Sequence, residues 1–146
     1  MSYPIPNPLL PTRRDLRFNL PADQISDWHY TGGSIFTAFL NTFSIVLPVG
    51  ERFFIDSIRA YRDQITDPEL KKAITAFIGQ EAHHSKEHEV LNDFMEKRGY
   101  AISRIDQNVA KLMDFFRKNL SPERQLAHTV AIEHFTAIMA EQYLLH

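Results

Sequence analysis

A stripe of side chains between residues 70 and 95 constrains this chain more than any other feature. Its members recur at alternating intervals of four and three residues, as one face of an α-helix requires. Both ends of the stripe are apolar, whereas its middle carries one carboxylate and two imidazoles. Because an unpaired buried charge is costly, an inward face of this kind predicts a bound partner, most commonly a metal ion. The stripe is Leu70, Ile74, Phe77, Glu81, His84, His88, Leu91 and Met95.

A second helical stripe precedes this one. The first predicted helix runs from about Ser34 to Ile65, with apolar side chains in register on both sides of Glu51. Pro48 removes one backbone hydrogen bond, so we expect it to kink or split this helix one turn before Glu51.

Helix boundary signals divide the rest of the chain. Asp67-Pro68-Glu69 predicts an N-cap, a proline in the first helical position and an acid in the first turn. The helix that begins there runs to about Arg98, before a glycine. A third helix is predicted over Ser103–Asn119, and Ser121-Pro122-Glu123 begins a fourth that continues to the end. No strand pattern competes, so the fold class is all-α, a bundle with short turns.

The N-terminal segment has a different composition. Five of the eight prolines fall in the first 21 residues. Residues 1–27 are therefore predicted to form an extended arm, and residues 28–146 a single helical domain. The arm is expected to lie across the bundle through its apolar side chains, which are Leu9, Leu10, Phe18 and Leu20.

Composition excludes several classes of function. The chain has no cysteine, which rules out disulfides, thiolate metal sites and cysteine nucleophiles. Its formal net charge is -2, so nucleic acid is not an expected partner. Prolines interrupt the N-terminus where a signal peptide would be apolar, and the apolar stretch 34–50 is short and carries polar residues. We expect no membrane span and a cytoplasmic location.

Three glutamates occupy apolar stripes on three different helices. They are Glu51, Glu81 and Glu133, and His84 follows Glu81 by three residues, so that both side chains leave the same helix face. Packed together, the helices would direct three carboxylates and at least one imidazole into a common interior volume. These ligand types suit iron, manganese or zinc, and one or two such ions would neutralise the buried charge.

Less specific interpretations stay open for several of these residues. A single glutamate in an apolar stripe often reaches solvent, and a shift of one residue would turn His134 inward instead of Glu133. His83 and Glu87 lie off the stripe, where we expect them to be solvated. His88 is on the stripe and is a candidate ligand, a partner of a ligand or a polar cap on the site. His29 and His128 are expected to be structural or surface residues.

The order of these motifs resembles a known protein family. A Glu on one helix, a Glu-x-x-His on the next and a Glu on a later helix look like the ferritin-like carboxylate bundles. More specifically, Leu47–Phe54, Phe77–Glu89 and Ile132–Ala137 resemble the bacterial family of predicted metal-dependent hydrolases, from about Pro11 onward. The resemblance implies a ferritin-like antiparallel helical bundle. It also implies that Glu51, Glu81, His84 and Glu133 are direct metal ligands.

The chain departs from that resemblance at its C-terminal end. A complete four-helix carboxylate site takes a second Glu-x-x-His from a final helix. Here the sequence ends at His146 without a helix stop signal. We therefore expect a C-terminally incomplete bundle, either a truncated form or one that a partner chain completes, with a homodimer as the candidate assembly.

Three functions follow as hypotheses. The first is metal-dependent hydrolysis of an unknown small molecule, in which a nearby carboxylate or an imidazole such as His88 takes a proton from water. The second is oxidoreductase chemistry at a di-iron or di-manganese centre, since the ligand set is rich in carboxylates. The third is a metal-free helical interaction module. The side chains expected to line the site suggest only an apolar cavity; they are Leu47, Phe54, Ile58 and Phe77.

Overall fold

The all-α prediction is confirmed. The computed structural model describes residues 10, 16–19, 25–27 and 33–145, and within them it contains α-helices and one 3₁₀ turn but no strand. The helices are α1 (Gly33–Arg59), α2 (Pro68–Lys97), α3 (Ile102–Asn119) and α4 (Pro122–Leu145), and the 3₁₀ turn is Arg62–Gln64.

The helix boundaries follow the predicted signals closely. Pro68 occupies the first turn of α2, and the Asp67 side chain accepts a hydrogen bond from the Glu69 backbone N–H at 2.9 Å. Gly99 has φ of 90° just after α2 ends, a conformation that glycine adopts without steric cost. The first helix ends at Arg59 rather than near residue 65, because the chain tightens there into the 3₁₀ turn.

Pro48 does not split the first helix, although a split was one of the two outcomes predicted for it. Helix α1 continues through Pro48, which is buried. Proline has no backbone N–H, so the Ser44 carbonyl, four residues earlier, lacks its usual intrahelical donor. Nδ2 of Asn92 on α2 donates to this carbonyl at 3.1 Å. A side chain of the neighbouring helix therefore replaces the missing bond and ties α1 to α2.

Helix α1 is the centre of the fold, since α2, α3 and α4 all pack against it. Ser44 is hydrogen-bonded to Asn92, and Glu51 lies beside His84, so α2 runs antiparallel to α1. Helix α4 is antiparallel to α1 as well. Its early residues meet the end of α1 and its late residues meet the start, as the Ser57–Thr129 hydrogen bond and the Phe36–Tyr143 ring contact show.

The apolar core lies where α1 meets α2 and α3. It consists of two clusters of buried side chains, Ile45, Phe94, Met95 and Ile102 in one and Val49, Phe53, Phe54 and Met113 in the other. Phe53 is completely buried. Another face of α1 points polar side chains toward α2 and α4, and the candidate site lies there.

Helix α4 is less covered than the other helices. Thr129 is its one buried residue among those described, and large apolar side chains stay exposed along it, including Val130, Phe135, Ile138 and Leu144. A helix that is apolar on all sides usually packs against more than one neighbour. The ferritin-like character, the incompleteness of the bundle and the homodimer stay predictions.

Parts of the N-terminal arm lie along the outer face of α2. Nε2 of His83 donates to the Leu16 carbonyl at 2.7 Å, and the Phe18 N–H donates to Glu87 at 3.0 Å. His83 and Glu87 are half-buried rather than simply solvated, because the arm covers them. Leu10 is partly exposed, and Phe18 more so. The predicted contacts of Leu9 and Leu20, the position of His29 and the arm boundary at residue 27 fall on or beside residues outside the described part.

One helical stretch, Gly33–Gln64, is long and apolar enough to cross a membrane on length and composition alone. Core helices of soluble proteins pass the same test. In this chain the stretch includes Ser44 and Glu51, which are buried beside polar side chains of α2. Such contacts are typical of a core helix, and the cytoplasmic location stays a prediction.

Candidate functional site

A cavity of about 400 Å³ lies between α1, α2 and α4. All of the side chains that the sequence singled out as site residues line it. Helix α1 contributes Glu51, α2 contributes Glu81, His84 and His88, and α4 contributes Glu133. The expected convergence of three helices on one interior volume is therefore observed, whereas the roles of the individual residues stay predictions.

Three of these residues form a tighter group. Glu51, His84 and His88 each offer one ligand atom, and these atoms lie within 4.8 Å of one another. Glu81 is adjacent, with Oε2 at 3.9 Å from Nδ1 of His84. The group is a possible metal site of one carboxylate and two imidazoles with a second carboxylate beside it.

Glu51 is the most deeply buried charged residue of the cavity, with 1% of its surface exposed. Neither of its carboxylate oxygens has a hydrogen bond of good geometry to a described residue, although Nδ1 of His84 lies 2.9 Å from Oε1. Burial raises the pKa of this carboxyl, and the neighbouring His84 opposes that effect. A buried carboxylate with so few donors calls for a cation.

His84 supplies a positive charge in the metal-free protein. Hydrogen bonding to Glu51, and next to Glu81, raises the pKa of His84 to about 10. Its side chain is half exposed, and its Nε2 lies 3.3 Å from Nε2 of His88. An imidazole must lose its proton before it can bind a metal, so metal binding here would release a proton.

Glu133 faces the same cavity from α4. Burial, followed by the charges of Glu81 and Glu51, raises the pKa of Glu133 to about 7. His134, the alternative inward residue, is exposed. The register of α4 on α1 therefore turns the carboxylate inward and leaves the imidazole in solvent.

His88 is held on its other side by hydrogen bonds. Its Nδ1 lies 2.9 Å from the Ser44 hydroxyl oxygen, and that hydroxyl lies 3.1 Å from Oδ1 of Asn92. Burial, with the charge of His84 as the second cause, lowers the pKa of His88 to about 4. His88 is therefore neutral near pH 7, which is the state that a metal-binding imidazole requires.

The remaining wall of the cavity is largely apolar. Leu47 and Phe54 line it as expected, whereas Ile58 and Phe77 are not among its lining residues. Phe43 and Leu47 of α1 face Met139 and Ala140 of α4 on this side of the cavity. None of the described lining residues is a lysine or an arginine, so the only positive charge in the cavity is that of protonated histidine.

Comparison with known proteins agrees with this arrangement. Residues 12–146 match the profile of a protein family described as predicted metal-dependent hydrolase. The chain belongs to this family. The resemblance inferred from the sequence motifs is thereby confirmed over nearly the whole chain. No curated protein and no solved structure shows significant similarity to it.

The donor set of the cavity fits a divalent metal ion. Carboxylate oxygens and neutral imidazole nitrogens suit iron, manganese and zinc, and the chain has no thiolate to offer. An ion in the group of Glu51, His84 and His88 would give the Glu51 oxygens the partner that they lack. It would also offset the mutual repulsion of the three carboxylates.

The sequence analysis missed two residues of the site. Ser44 and Asn92 connect the metal-capable group to the helix backbone, yet neither belongs to a recognised motif. A signal for Ser44 was present, because a proline four residues later frees its carbonyl. Nothing local indicated that Asn92, 48 residues away, would supply the donor.

Proposed function

We propose that this protein hydrolyses a small molecule with the help of a divalent metal ion held in the cavity between α1, α2 and α4. Glu51, His84 and His88 would be the closest ligands, and Glu81 and Glu133 would complete the set. The sequence suggested His88 as the base. One ring nitrogen of His88 lies within 4.8 Å of ligand atoms of Glu51 and His84, and its Nε2 lies 3.3 Å from Nε2 of His84, which favours direct binding instead.

One observation carries this proposal. Both oxygens of Glu51 are buried without a hydrogen bond of good geometry to a described residue, and Nδ1 of His84, 2.9 Å from Oε1, is the cation beside them, in a cavity that holds two further carboxylates. Three carboxylates beside one protonated imidazole leave a surplus of negative charge that a divalent ion would offset. A divalent ion bound there supplies Lewis acidity and lowers the pKa of a water molecule, as metal-assisted hydrolysis requires. The family to which the chain belongs supports the same reaction class.

The cavity also favours one kind of substrate. Phe43, Leu47, Met139 and Ala140 offer an apolar surface beside the carboxylates, and the described lining residues include no lysine or arginine. An anionic substrate would meet like charges without a matching donor, whereas an uncharged molecule would bury its apolar part. We propose a neutral ester or amide with an apolar group. Hydrolysis adds water across its C–O or C–N bond, giving a carboxylic acid and an alcohol or amine.

The deciding experiment measures the metal content of the purified chain by elemental mass spectrometry. Wild type is compared with the double variant Glu81→Ala/His84→Ala and with Glu89→Ala/His83→Ala. The control pair removes the same residue types from α2 outside the cavity lining. Near-stoichiometric metal in wild type and in the control, but not in the site variant, is the expected result.

Hydrolysis of a neutral ester by the same three proteins then tests the reaction. We expect turnover by wild type and control only. Absence of metal from reconstituted wild type would overturn the proposal and leave the metal-free interaction module as the better description.

An oxidoreductase with a di-iron or di-manganese centre is the second candidate. It is favoured by the three carboxylates that line the cavity beside only two imidazoles. Two iron or manganese ions per chain and oxygen consumption on reduction would support it, whereas one zinc ion would exclude it. A cytoplasmic location, in keeping with the lack of cysteine, belongs to either proposal.

A further inference from the structure

The hydrogen bonds behind His88 form one continuous chain that begins at Pro48. Because Pro48 has no N–H, the Ser44 carbonyl needs an outside donor, and Nδ2 of Asn92 provides it at 3.1 Å. The Ser44 hydroxyl connects Oδ1 of the same asparagine to Nδ1 of His88. Ser44 and Asn92 are buried, with 3% and 7% of their surfaces exposed.

The orientation of the Asn92 amide follows from its backbone contact. A carbonyl oxygen only accepts hydrogen bonds, so the atom of Asn92 that faces the Ser44 carbonyl must be the NH₂ group. A flipped amide would place two oxygens against each other in a buried position. The other amide atom, 3.1 Å from the Ser44 hydroxyl, is therefore the oxygen.

The direction of the remaining bonds follows in turn. A serine hydroxyl carries one proton, and the Asn92 oxygen can only accept it. Ser44 therefore donates to Asn92 and has only lone pairs to offer to His88. The contact of 2.9 Å between Ser44 Oγ and His88 Nδ1 is a hydrogen bond only if Nδ1 carries the proton. In a neutral imidazole, Nε2 is then unprotonated, and Nε2 is the nitrogen that faces His84.

We propose that Ser44 and Asn92 are positioning residues that hold His88 in the Nδ1–H tautomer, so that Nε2 presents its lone pair to the cavity. The tautomer follows from the hydrogen bonds alone. Its purpose, to prepare Nε2 for a divalent cation, rests on the proposed function. Histidine ligands of metals generally donate their other N–H to an oxygen in this way, and loss of that oxygen typically weakens metal binding by about 10- to 100-fold.

Nitrogen NMR of the metal-free full chain, labelled with ¹⁵N-histidine, tests the tautomer directly. His88→Asn identifies the His88 signals by their disappearance. Wild type is expected to show a protonated Nδ1 and an unprotonated Nε2 at pH 7. Ser44→Ala is expected to shift His88 toward a mixture of tautomers. A His88 that is protonated at Nε2 in wild type would overturn the proposal.

Zinc titration of the same proteins by calorimetry tests whether this tautomer prepares Nε2 of His88 for a divalent cation. Ser57→Ala is the matched control, because Ser57 is on the same helix, is also 3% exposed and also bonds a side chain of another helix. Ser44→Ala should weaken zinc binding about 10-fold or more, Ser57→Ala less than 3-fold, and Ser44→Thr, which keeps a hydroxyl, should recover most of the loss. Equal zinc affinities of Ser44→Ala and Ser57→Ala would contradict the role of Ser44 in preparing His88 for a metal.

The two measurements distinguish a failure of the proposed function from a failure of the positioning role of Ser44 and Asn92. If wild type binds no zinc or other divalent metal, the proposed function fails, and the NMR experiment still decides the tautomer. If wild type binds zinc but His88 is protonated at Nε2, the metal site stands and the positioning role of Ser44 and Asn92 is wrong.

Discussion

Two adjoining polar clusters lie between α1 and α2, and they meet where Nε2 of His88 lies 3.3 Å from Nε2 of His84. The first, called here the serine cluster, is Ser44, His88 and Asn92. The second, the acidic cluster, is Glu51, Glu81 and His84, with Glu133 facing it from α4. Both are polar groups inside a small helical protein. They differ in whether the protein supplies their hydrogen-bond partners.

The serine cluster supplies its own partners for every group except Nε2 of His88, which faces the acidic cluster. The Ser44 hydroxyl, the Ser44 carbonyl and both ends of the Asn92 amide are all paired. The acidic cluster has three carboxylates with His84 as its ion-pair partner, and both Glu51 oxygens lack a good hydrogen bond among described residues. Buried polar groups therefore have two roles in this fold. A satisfied network stabilises the structure, and an unsatisfied one marks a place for a ligand.

The largest expected contrast comes from Glu51→Gln. This change keeps the shape of the side chain but removes its charge, so metal binding should be lost. The metal-free protein should lose only part of the stability that the pair with His84 provides, because the desolvation cost of the buried carboxylate is removed at the same time. Elemental analysis and thermal unfolding of the apo proteins check both parts. A strongly destabilised apo variant would show that Glu51 already has sufficient partners.

The opposite behaviour is expected in the serine cluster for Asn92→Leu. The substitution leaves the buried Ser44 carbonyl without a hydrogen-bond donor and removes the acceptor for the Ser44 hydroxyl. Each buried group left unpaired costs about 1–3 kcal/mol, so we expect a loss of roughly 2–4 kcal/mol in the free energy of unfolding. Urea unfolding of the metal-free protein measures it. A loss below about 1 kcal/mol would mean that another donor reaches the Ser44 carbonyl.

Removal of the metal should destabilise wild type but not Glu51→Gln. A ligand that binds only the folded chain and is present at 100 times its Kd stabilises it by about 2.7 kcal/mol. Thermal melts with and without chelator should therefore diverge for wild type and coincide for the variant. Coincident melts for metal-loaded wild type would indicate that the ion binds the unfolded chain equally well, or does not occupy this cavity.

The pH dependence of the metal-free protein separates the clusters further. The pKa of His84 is raised to about 10 by its carboxylate partners, from about 6.5 in an unfolded chain. Stability from this pair is complete below about pH 6.5 and is lost as the pH rises toward 10. His88, with its pKa lowered to about 4, does not titrate in that interval.

Thermal melts of the apo proteins should therefore show a lower melting temperature at pH 9 than at pH 7 for wild type. The difference should be smaller for His84→Gln. Bound metal should also suppress the loss, because a ligated His84 has already released its proton. An equal loss in His84→Gln would assign the pH dependence to another group.

The smallest effect is expected at Ser57, a satisfied site on the same helix and outside the cavity lining. Ser57→Ala removes a hydrogen bond of 2.8 Å to Thr129. The cost should be about 1 kcal/mol in unfolding free energy, with metal content unchanged. Chemical unfolding and elemental analysis of the variant provide the check. A change in metal content would extend the site toward the start of α4, where Thr129 lies.

Much of the fold and part of the site could be predicted because the signals are local. Asp67 and Pro68 set the start of α2 through a cap and a fixed φ, and both lie within the segment that they control. Glu81 and His84 share a face because three residues nearly complete a helical turn. The apolar stripes of α1 and α2 placed Glu51 and Glu81 on inward faces for the same reason, since apolar burial orients each helix.

The remainder depended on contacts between residues far apart in sequence. No pattern within α4 decided between Glu133 and His134, and only its packing on α1 turned the carboxylate inward. Pro48 by itself predicted a kinked or split helix, yet α1 is continuous, and Asn92, 44 positions later, donates to the Ser44 carbonyl. In α1 and α2, helical periodicity therefore determined which side chains face inward, as a property of a few consecutive residues. Which of them meet, and which stay without a partner, was decided only by helix packing, because donors and acceptors from separate helices come together only in the folded chain.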